Sequence, residues 1–277
     1  MTVTTAFLSR REHFDRVGST NDVVRDWLAA GTPEVCLAVA GEQTAGRGRD
    51  GRTWQAPPGS GLLFSIGFRP TWLAPNHVWR LPAVVSLAMA EAAETSTSLP
   101  SGSIGLKWPN DLVLDDEARF LRHGIHRRGT NKLAGVLGET SGLGTADPRV
   151  VVGIGVNTNW PRVDFPPDLA PSMTSLFEAT DGSIDNAALL DRFLGALEAG
   201  VDELRVGRFD ANRWRDRQIT TGQLVELQAP DGGVELVNAV GVDADSGALL
   251  VGDDRDPRPV FVGEITHVRF PTAGRGV

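Results

Sequence analysis

The sequence predicts an α+β protein, with a large layered domain followed by a small β-barrel. Three observations carry that prediction. Apolar residues recur at helical spacing in three segments. Gly-bounded, β-branched runs succeed one another closely enough to pair as hairpins, and beyond Arg217 the texture changes to short strands separated by turn signals. With 277 residues the chain can build a sizeable core and a smaller companion, and 41% apolar with 22% charged residues is an ordinary globular composition.

Ser19-Thr20-Asn21 precedes a run from Asp22 to Gly31 whose apolar positions fall on one helical face, so it reads as an N-cap, a helix and a closing glycine. A strand is expected at about 35 to 41 and another from Leu62 to Phe68. From about Asn76 to Glu94 the Ala, Leu and Val content predicts a long buried helix, with Pro82 near its start. Ile104 to Leu114, Lys132 to Glu139 and Arg149 to Val156 read as three strands. Leu189, Leu190, Phe193, Leu194, Leu197, Val201 and Leu204 set a helix over Asn186 to Val206. Five short runs then begin at Leu224, Val234, Ala248, Val260 and Ile265, with Asp231-Gly232-Gly233 and Asp245-Ser246-Gly247 among the turns between them. The boundary falls near residue 218, giving domains 1–218 and 219–277.

Composition excludes several classes. A net charge of -8 argues against a broad basic face for nucleic acid. The single cysteine, Cys36, lies in the apolar run Val35 to Ala40 and reads as a small buried hydrophobe, with no internal disulfide. No segment matches a membrane span or a signal peptide, so a cytoplasmic protein is expected. His13, His77, His123, His126 and His267 are scattered, without the spacing of a transition-metal site, and there is no G-x-S-x-G elbow.

The most informative segment is Gly46-Arg47-Gly48-Arg49-Asp50-Gly51-Arg52-Thr53-Trp54. Permissive backbone with guanidinium groups at alternate positions suits a loop that closes over a phosphate or carboxylate. Gly46, Gly48 and Gly51 also satisfy G-x-G-x-x-G, and the stretch approaches a P-loop. Both of those motifs need a helix at the last glycine, which Pro57, Pro58, Gly59 and Gly61 forbid. The bland alternative is a solvated turn.

Four polar clusters sit at loop mouths or strand ends: Ser19 to Asn21, Gln43 through Trp54, Lys107 through Asp111, and Lys132 with Gly135. They supply hydroxyls and amides for a neutral polar ligand, cations for phosphates, and a carboxylate. Gly18-Ser19-Thr20-Asn21, Glu42-Gln43-Thr44-Ala45-Gly46-Arg47-Gly48-Arg49, Trp54, Lys107-Trp108-Pro109-Asn110-Asp111, Lys132-Leu133-Ala134-Gly135-Val136-Leu137 and Gly153-Ile154-Gly155-Val156-Asn157 occur in that order. In these motifs the chain closely resembles the biotin protein ligases, which adenylate biotin and pass it to a lysine of a biotin carrier domain. The likeness runs from about Phe14 to about Phe270.

The resemblance implies a central mixed or antiparallel sheet flanked by helices, the class II synthetase-like biotin/lipoate ligase fold, with an SH3-like C-terminal barrel. It implies biotin and ATP with Mg²⁺ as substrates and activator, no tightly bound metal, and a biotin carboxyl carrier protein or carboxylase subunit as partner. Ser19, Thr20, Asn21 and Gln43 would hold the ureido ring, with Gly135 beside the biotin. Arg47, Gly48 and Arg49 would lie along biotin's carboxylate and the adenylate phosphate, and Lys132 would touch both. Arg52, Lys107, Asn110 and Asn157 would help bind ATP. Arg49, Lys132 and Asp111 would be catalytic, Asp111 either as the Mg²⁺ ligand or as the group that orients the acceptor lysine. Trp54 either walls the adenine or biotin or belongs to the core; Trp108 reads as core.

Two departures stand out. Asp50 follows Arg49 where another basic residue is common, and the hairpin between Leu114 and Lys132 is expanded by a segment carrying Arg119, Arg122, His123, His126, Arg127 and Arg128. That insert reads as a solvated hairpin, or else as an electrostatic guide for an acidic carrier or for ATP. The ligase motif begins so early that no N-terminal DNA-binding domain is expected, and a single-function enzyme is preferred. Monomer and homodimer both remain open. So does the barrel's role, as a clasp on ATP or the carrier, or as a structural cap. Lipoate ligase, which shares the fold, is the sister reading; a biotin sensor without catalysis is disfavoured by Lys132 and Asp111.

Overall fold

The computed structural model describes residues 7–115, 130–180, 182–228, 233–261 and 268–269. The first part is a seven-stranded sheet in the order β1-β2-β3-β7-β6-β5-β4. Its strands are β1 (Arg10–Val17), β2 (Cys36–Gln43), β3 (Gly61–Phe68), β4 (Ile104–Lys107), β5 (Asp111–Asp115), β6 (Thr130–Ser141) and β7 (Arg149–Asn157). β1 pairs with β2 in parallel and the other neighbours are antiparallel, so the sheet is mixed.

Strand alternation divides the two faces. Phe64, Ile66, Leu112, Ala134 and Ile154 point into the main core. There they meet Leu81, Val85 and Met89 of helix α2 (Arg80–Thr97) and Phe193 and Leu197 of a later helix over Asn186–Arg205. On the opposite face, Cys36, Ala38 and Val151 pack under Val24, Trp27 and Leu28 of α1 (Thr20–Ala29). Gly67 lets that helix sit close: a Cβ there would lie 2.6 Å from Val24 Cγ1 and 2.7 Å from the Cys36 sulfur. α1 covers β2, β3 and β7, and leaves the same face of β5 and β6 for the site.

Two short helices complete this part, α3 (Leu176–Thr180) and α5 (Ala211–Asp216), on either side of the long α4 over Asn186–Arg205 already met. The chain then enters a five-stranded sheet in the order β11-β10-β9-β8-β12. Its strands are β8 (Leu224–Gln228), β9 (Val234–Val242), β10 (Leu249–Asp253), β11 (Asp256–Val260) and β12 (Val268–Arg269). The two sheets are tied where Leu106 N–H donates to the Arg217 carbonyl and the Leu106 carbonyl accepts from Ile219 N–H, and where Arg217 forks onto Glu94 at 2.6 and 2.9 Å. Trp108 bridges the same seam, its backbone N–H donating to Thr220 Oγ1 and its indole N–H to the Gly247 carbonyl, each at 3.0 Å.

The structure amends the sequence reading in several places. Arg10–Val17 is a strand that no local pattern announces; its mixed charges belong to an exposed edge strand, where charge blunts further pairing. The run Ile104 to Leu114 is two strands, because Trp108-Pro109-Asn110 forms a turn and proline cannot donate to a ladder. Helix α2 starts at Arg80, after a separate turn at Pro75–His77. β11 contains Pro257 and Pro259, which hid it; it lies at the edge of its sheet. The basic insert, with Arg119, Arg122, His123, His126, Arg127 and Arg128, lies outside the described residues, as do Asp231-Gly232 and the run from Val262 to His267.

Candidate active site

The site rests on the open half of the α1 face, and a bulge shapes it. Asp111 pairs with Gly135 and Leu112 with Ala134, but Val113 pairs with Lys132, so Leu133 is an extra residue in β6. Without the bulge Lys132 and Gly135, an odd number of residues apart, would face opposite sides of the sheet. With it Lys132, Gly135 and Asp111 share one face, and Lys132 Nζ lies 2.7 Å from Asp111 Oδ1. Leu133, Leu112 and Ala134 are turned into the core.

Beside them Gly155 lies directly opposite Gly135 across β6 and β7. This bare patch seats Trp54, whose indole Nε1 would be 2.3 Å from a Cβ at Gly155. Trp54 is half-buried, Lys132 Nζ lies 5.3 Å from its ring centroid, and its N–H is buried without a hydrogen-bond partner. The aromatic therefore walls the cavity on one side and keeps a donor inside it.

At the other end, the start of α1 is polar and buried. Ser19 occupies the N-cap position but makes no side-chain cap; Gln43 Oε1 instead accepts from the Thr20 backbone N–H at 2.7 Å and from the Thr20 hydroxyl at 2.9 Å. Ser65 Oγ donates to Asn21 Oδ1 at 2.5 Å and lies 2.7 Å from Thr20 Oγ1. Asn21 Nδ2 is left buried and unpartnered. Gly153 makes room for this amide, since a Cβ there would fall 2.1 Å from Asn21 Oδ1.

The Gly-Arg loop forms a short neck and a tight tip. Trp54 N–H donates to Gly46 O, Gly48 N–H donates to Arg52 O, and Arg47 pairs with Thr53 between them. The tip is a turn at Arg49–Gly51 in which Asp50 has φ 56 and Gly51 φ 73, the left-handed region. No helix follows, which excludes the P-loop and dinucleotide readings of these glycines. Burial lowers the pKa of Arg49, while Asp50 and Asp111 act in the opposite direction.

These parts enclose a cavity of about 400 Å³. Ser19, Thr20, Asn21, Gln43, Arg47, Gly48, Arg49, Arg52, Trp54, Lys107, Asn110, Asp111, Lys132 and Gly135 all line it. Asn110 holds the turn before β5, its amide donating to the Val136 carbonyl at 3.0 Å. Trp108 combines a cavity wall with a core position, at 4% exposure.

Two sequence expectations change. Asn157 is fully buried outside the lining, and its amide donates to the Thr174 carbonyl at 3.0 Å. Arg47 does not offer its guanidinium to the cavity alone: it forks onto Asp22 at 2.9 and 2.8 Å and reaches Glu139 at 3.1 Å. The sequence reading also missed the wall formed by Leu169, Ser172 and Met173. That segment adds to β6 beside the bulge, where Lys132 N–H donates to Ser172 O and Thr174 N–H to Lys132 O. Its only signal was proximity in space, which no local pattern reveals.

Among the described residues no cluster of three or more His, Cys, Asp or Glu side chains is placed to hold a metal ion. No described helix is long and apolar enough to cross a membrane.

Comparison with known proteins gives the family. The biotin–[acetyl-CoA-carboxylase] ligase of Mycobacterium tuberculosis is 30% identical over 257 residues, covering 92% of this chain and 87% of that protein. The Paracoccus denitrificans protein of the same description is 31% identical over 228 residues, covering 81% and 87%. The structure of biotin protein ligase from Aquifex aeolicus in complex with biotin and ATP superposes with a TM-score of 0.74 at 25% identity, covering 95% of this chain and 99% of that one. The family model described as Biotin/lipoate A/B protein ligase matches residues 13–157, and the chain belongs to that family.

Proposed function

We propose that the chain is an ATP-dependent biotin protein ligase that forms biotinyl-5'-AMP and transfers biotin to a lysine of a biotin carboxyl carrier protein or carboxylase subunit. One observation carries the choice of ligand. A single cavity has an unpartnered buried amide, Asn21 Nδ2, at its neutral polar end, and Lys132, Arg49 and Arg52 at its charged end. A buried donor without a partner costs free energy that a ligand carbonyl recovers, and a ureido oxygen supplies one.

In the first step a carboxylate oxygen of biotin attacks the α-phosphorus of ATP and pyrophosphate leaves. Two anions must approach, so fixed cations are needed where charge develops. Lys132 is aimed by the bulge and Arg49 is carried on the loop tip; we assign both to that task, with Arg52, Lys107 and Asn110 along the nucleotide. Trp54 closes over the bare Gly135 and Gly155 patch and keeps water from the mixed anhydride. In the second step the lysine nitrogen of the carrier attacks the acyl carbon, the bond to the phosphate oxygen breaks and AMP leaves. Asp111 faces this point beside Lys132 and either orients the incoming ammonium or meets a Mg²⁺ brought by the ATP phosphates. If Asp111 held Mg²⁺, the ion would neutralise phosphate charge beside Lys132.

Asn157 is reassigned: it ties β7 to the Thr174 carbonyl and so fixes the wall that carries Met173. We further propose that residues 1–218 form the catalytic domain and 219–277 an SH3-like barrel. Incubation with biotin or with lipoate, following ATP-dependent pyrophosphate release and labelling of a carrier domain, tests the reading; turnover with lipoate and none with biotin selects the sister activity.

A further inference from the structure

We infer that Asp22 and Glu139 are positioning residues that clamp the root of the Gly-Arg loop through Arg47. The inference rests on the ligase reading for its kinetic arm only. Arg47 sits in the neck, between the Gly46–Trp54 and Gly48–Arg52 backbone pairs. Its Nη1 and Nη2 donate to the two oxygens of Asp22 at 2.9 and 2.8 Å, and Nη2 also reaches Glu139 Oε1 at 3.1 Å. Asp22 belongs to the first turn of α1 and is shared with Arg25 at 2.7 Å. Glu139 belongs to the far end of β6, opposite Val151, on the face α1 covers. One planar fork therefore joins the neck to the helix that carries Thr20 and Asn21 and to the strand that carries Lys132.

The geometry sets what the clamp does. Arg49 is carried by the turn just beyond the neck and Arg52 closes the neck itself, so the placement of both over the cavity is inherited from it. A single lysine ammonium cannot reproduce a fork across two carboxylates, so charge without the fork is insufficient. On this view Arg47 acts through the loop, while Arg49 is the cation that meets the ligand.

The test uses the full chain and the variants Asp22→Asn, Glu139→Gln, Arg47→Lys and Asp22→Asn with Arg47→Lys. Limited trypsin digestion without ligand, read by mass for cuts after Arg49 and Arg52, should show each single variant nicked about tenfold faster than the parent, because cleavage follows the population of the open loop. The double variant should be nicked no faster than the more affected single, since residues acting through one contact are not additive. With biotin and ATP, Asp22→Asn and Glu139→Gln should raise both KM values and speed release of the adenylate, while their single-turnover rate of adenylation at saturation stays within about twofold of the parent. Equal nicking in all proteins overturns the clamp. So does a slowed chemical step in Arg47→Lys with Asp22→Asn and Glu139→Gln unaffected, for then Arg47 faces the substrate. If the parent releases no pyrophosphate in response to biotin, the ligase reading falls, and the ligand-free nicking rates still decide the clamp.

Discussion

Trp54 lies against the backbone of Gly155 so closely that a Cβ there would meet its indole Nε1 at 2.3 Å. The ring is rigid, but it hangs from a loop, so an added methyl would displace the tryptophan and leave the sheet in place. Gly155→Ala should therefore lower adenylate-forming activity by about tenfold or more while the melting temperature moves only a few degrees, the pattern of a misplaced site on an intact scaffold. Parallel melting curves and initial rates check this; full activity in the variant would mean that Trp54 has no fixed seat.

In the proposed mechanism the bulge aims Lys132 at the point where carboxylate and phosphate meet. Lys132→Ala should slow single-turnover adenylation by about a hundredfold, in the range found for removing one group that stabilises developing charge. Biotin affinity should fall by less than about tenfold, because the ureido contacts proposed for Asn21, and the Gln43–Thr20 bonds beside them, are untouched. Rapid-quench kinetics with calorimetric titration of biotin separates the two effects.

How much of this was legible in the sequence depends on how local each signal is. The polar residues of the site were legible because each motif is a few contiguous residues with distinctive chemistry, and all but Asn157 line one cavity. Asn157 stands outside that cavity, and an asparagine that ends a Gly-rich strand looks the same whether it meets a nucleotide or a neighbouring carbonyl. The bulge at Leu133 was invisible for a different reason: register is set between strands, and nothing in Lys132-Leu133-Ala134-Gly135 marks the extra residue. Arg47 carries the same lesson over longer distances, its partners Asp22 and Glu139 lying 25 and 92 residues away. In the fold, helices with strong apolar repeats were readable, while β1, charged and at the sheet edge, lacked the alternation that betrays a half-buried strand.

The Arg47 guanidinium, hydrogen-bonded to Asp22, holds that carboxyl below its ordinary 3.8, with burial opposing. A depressed folded pKa contributes stability that is present above the unfolded value and is lost as pH falls through the folded one. The neck should therefore be unchanged from neutral pH down to about 5 and loosen only in acid, below 3.8. In Arg47→Ala the Asp22 midpoint should move up, towards 3.8, in a carboxyl-carbon NMR titration. An unmoved midpoint would contradict the pairing.

Burial pushes the Cys36 thiol up to about 11, and the side chain is fully enclosed between α1 and the sheet. At pH about 8 a thiol reagent should leave the native protein unmodified and label it only as denaturant opens the structure, because the thiolate is the reactive form. Prompt stoichiometric labelling of the native protein would place Cys36 in an accessible site.

The most direct test of the central claim is pyrophosphate release from ATP, measured with biotin, with lipoate and with neither. A biotin ligase releases pyrophosphate only with biotin, and biotinyl-5'-AMP should be recovered from the enzyme when no carrier is present. Release indifferent to biotin, or supported by lipoate alone, would contradict it.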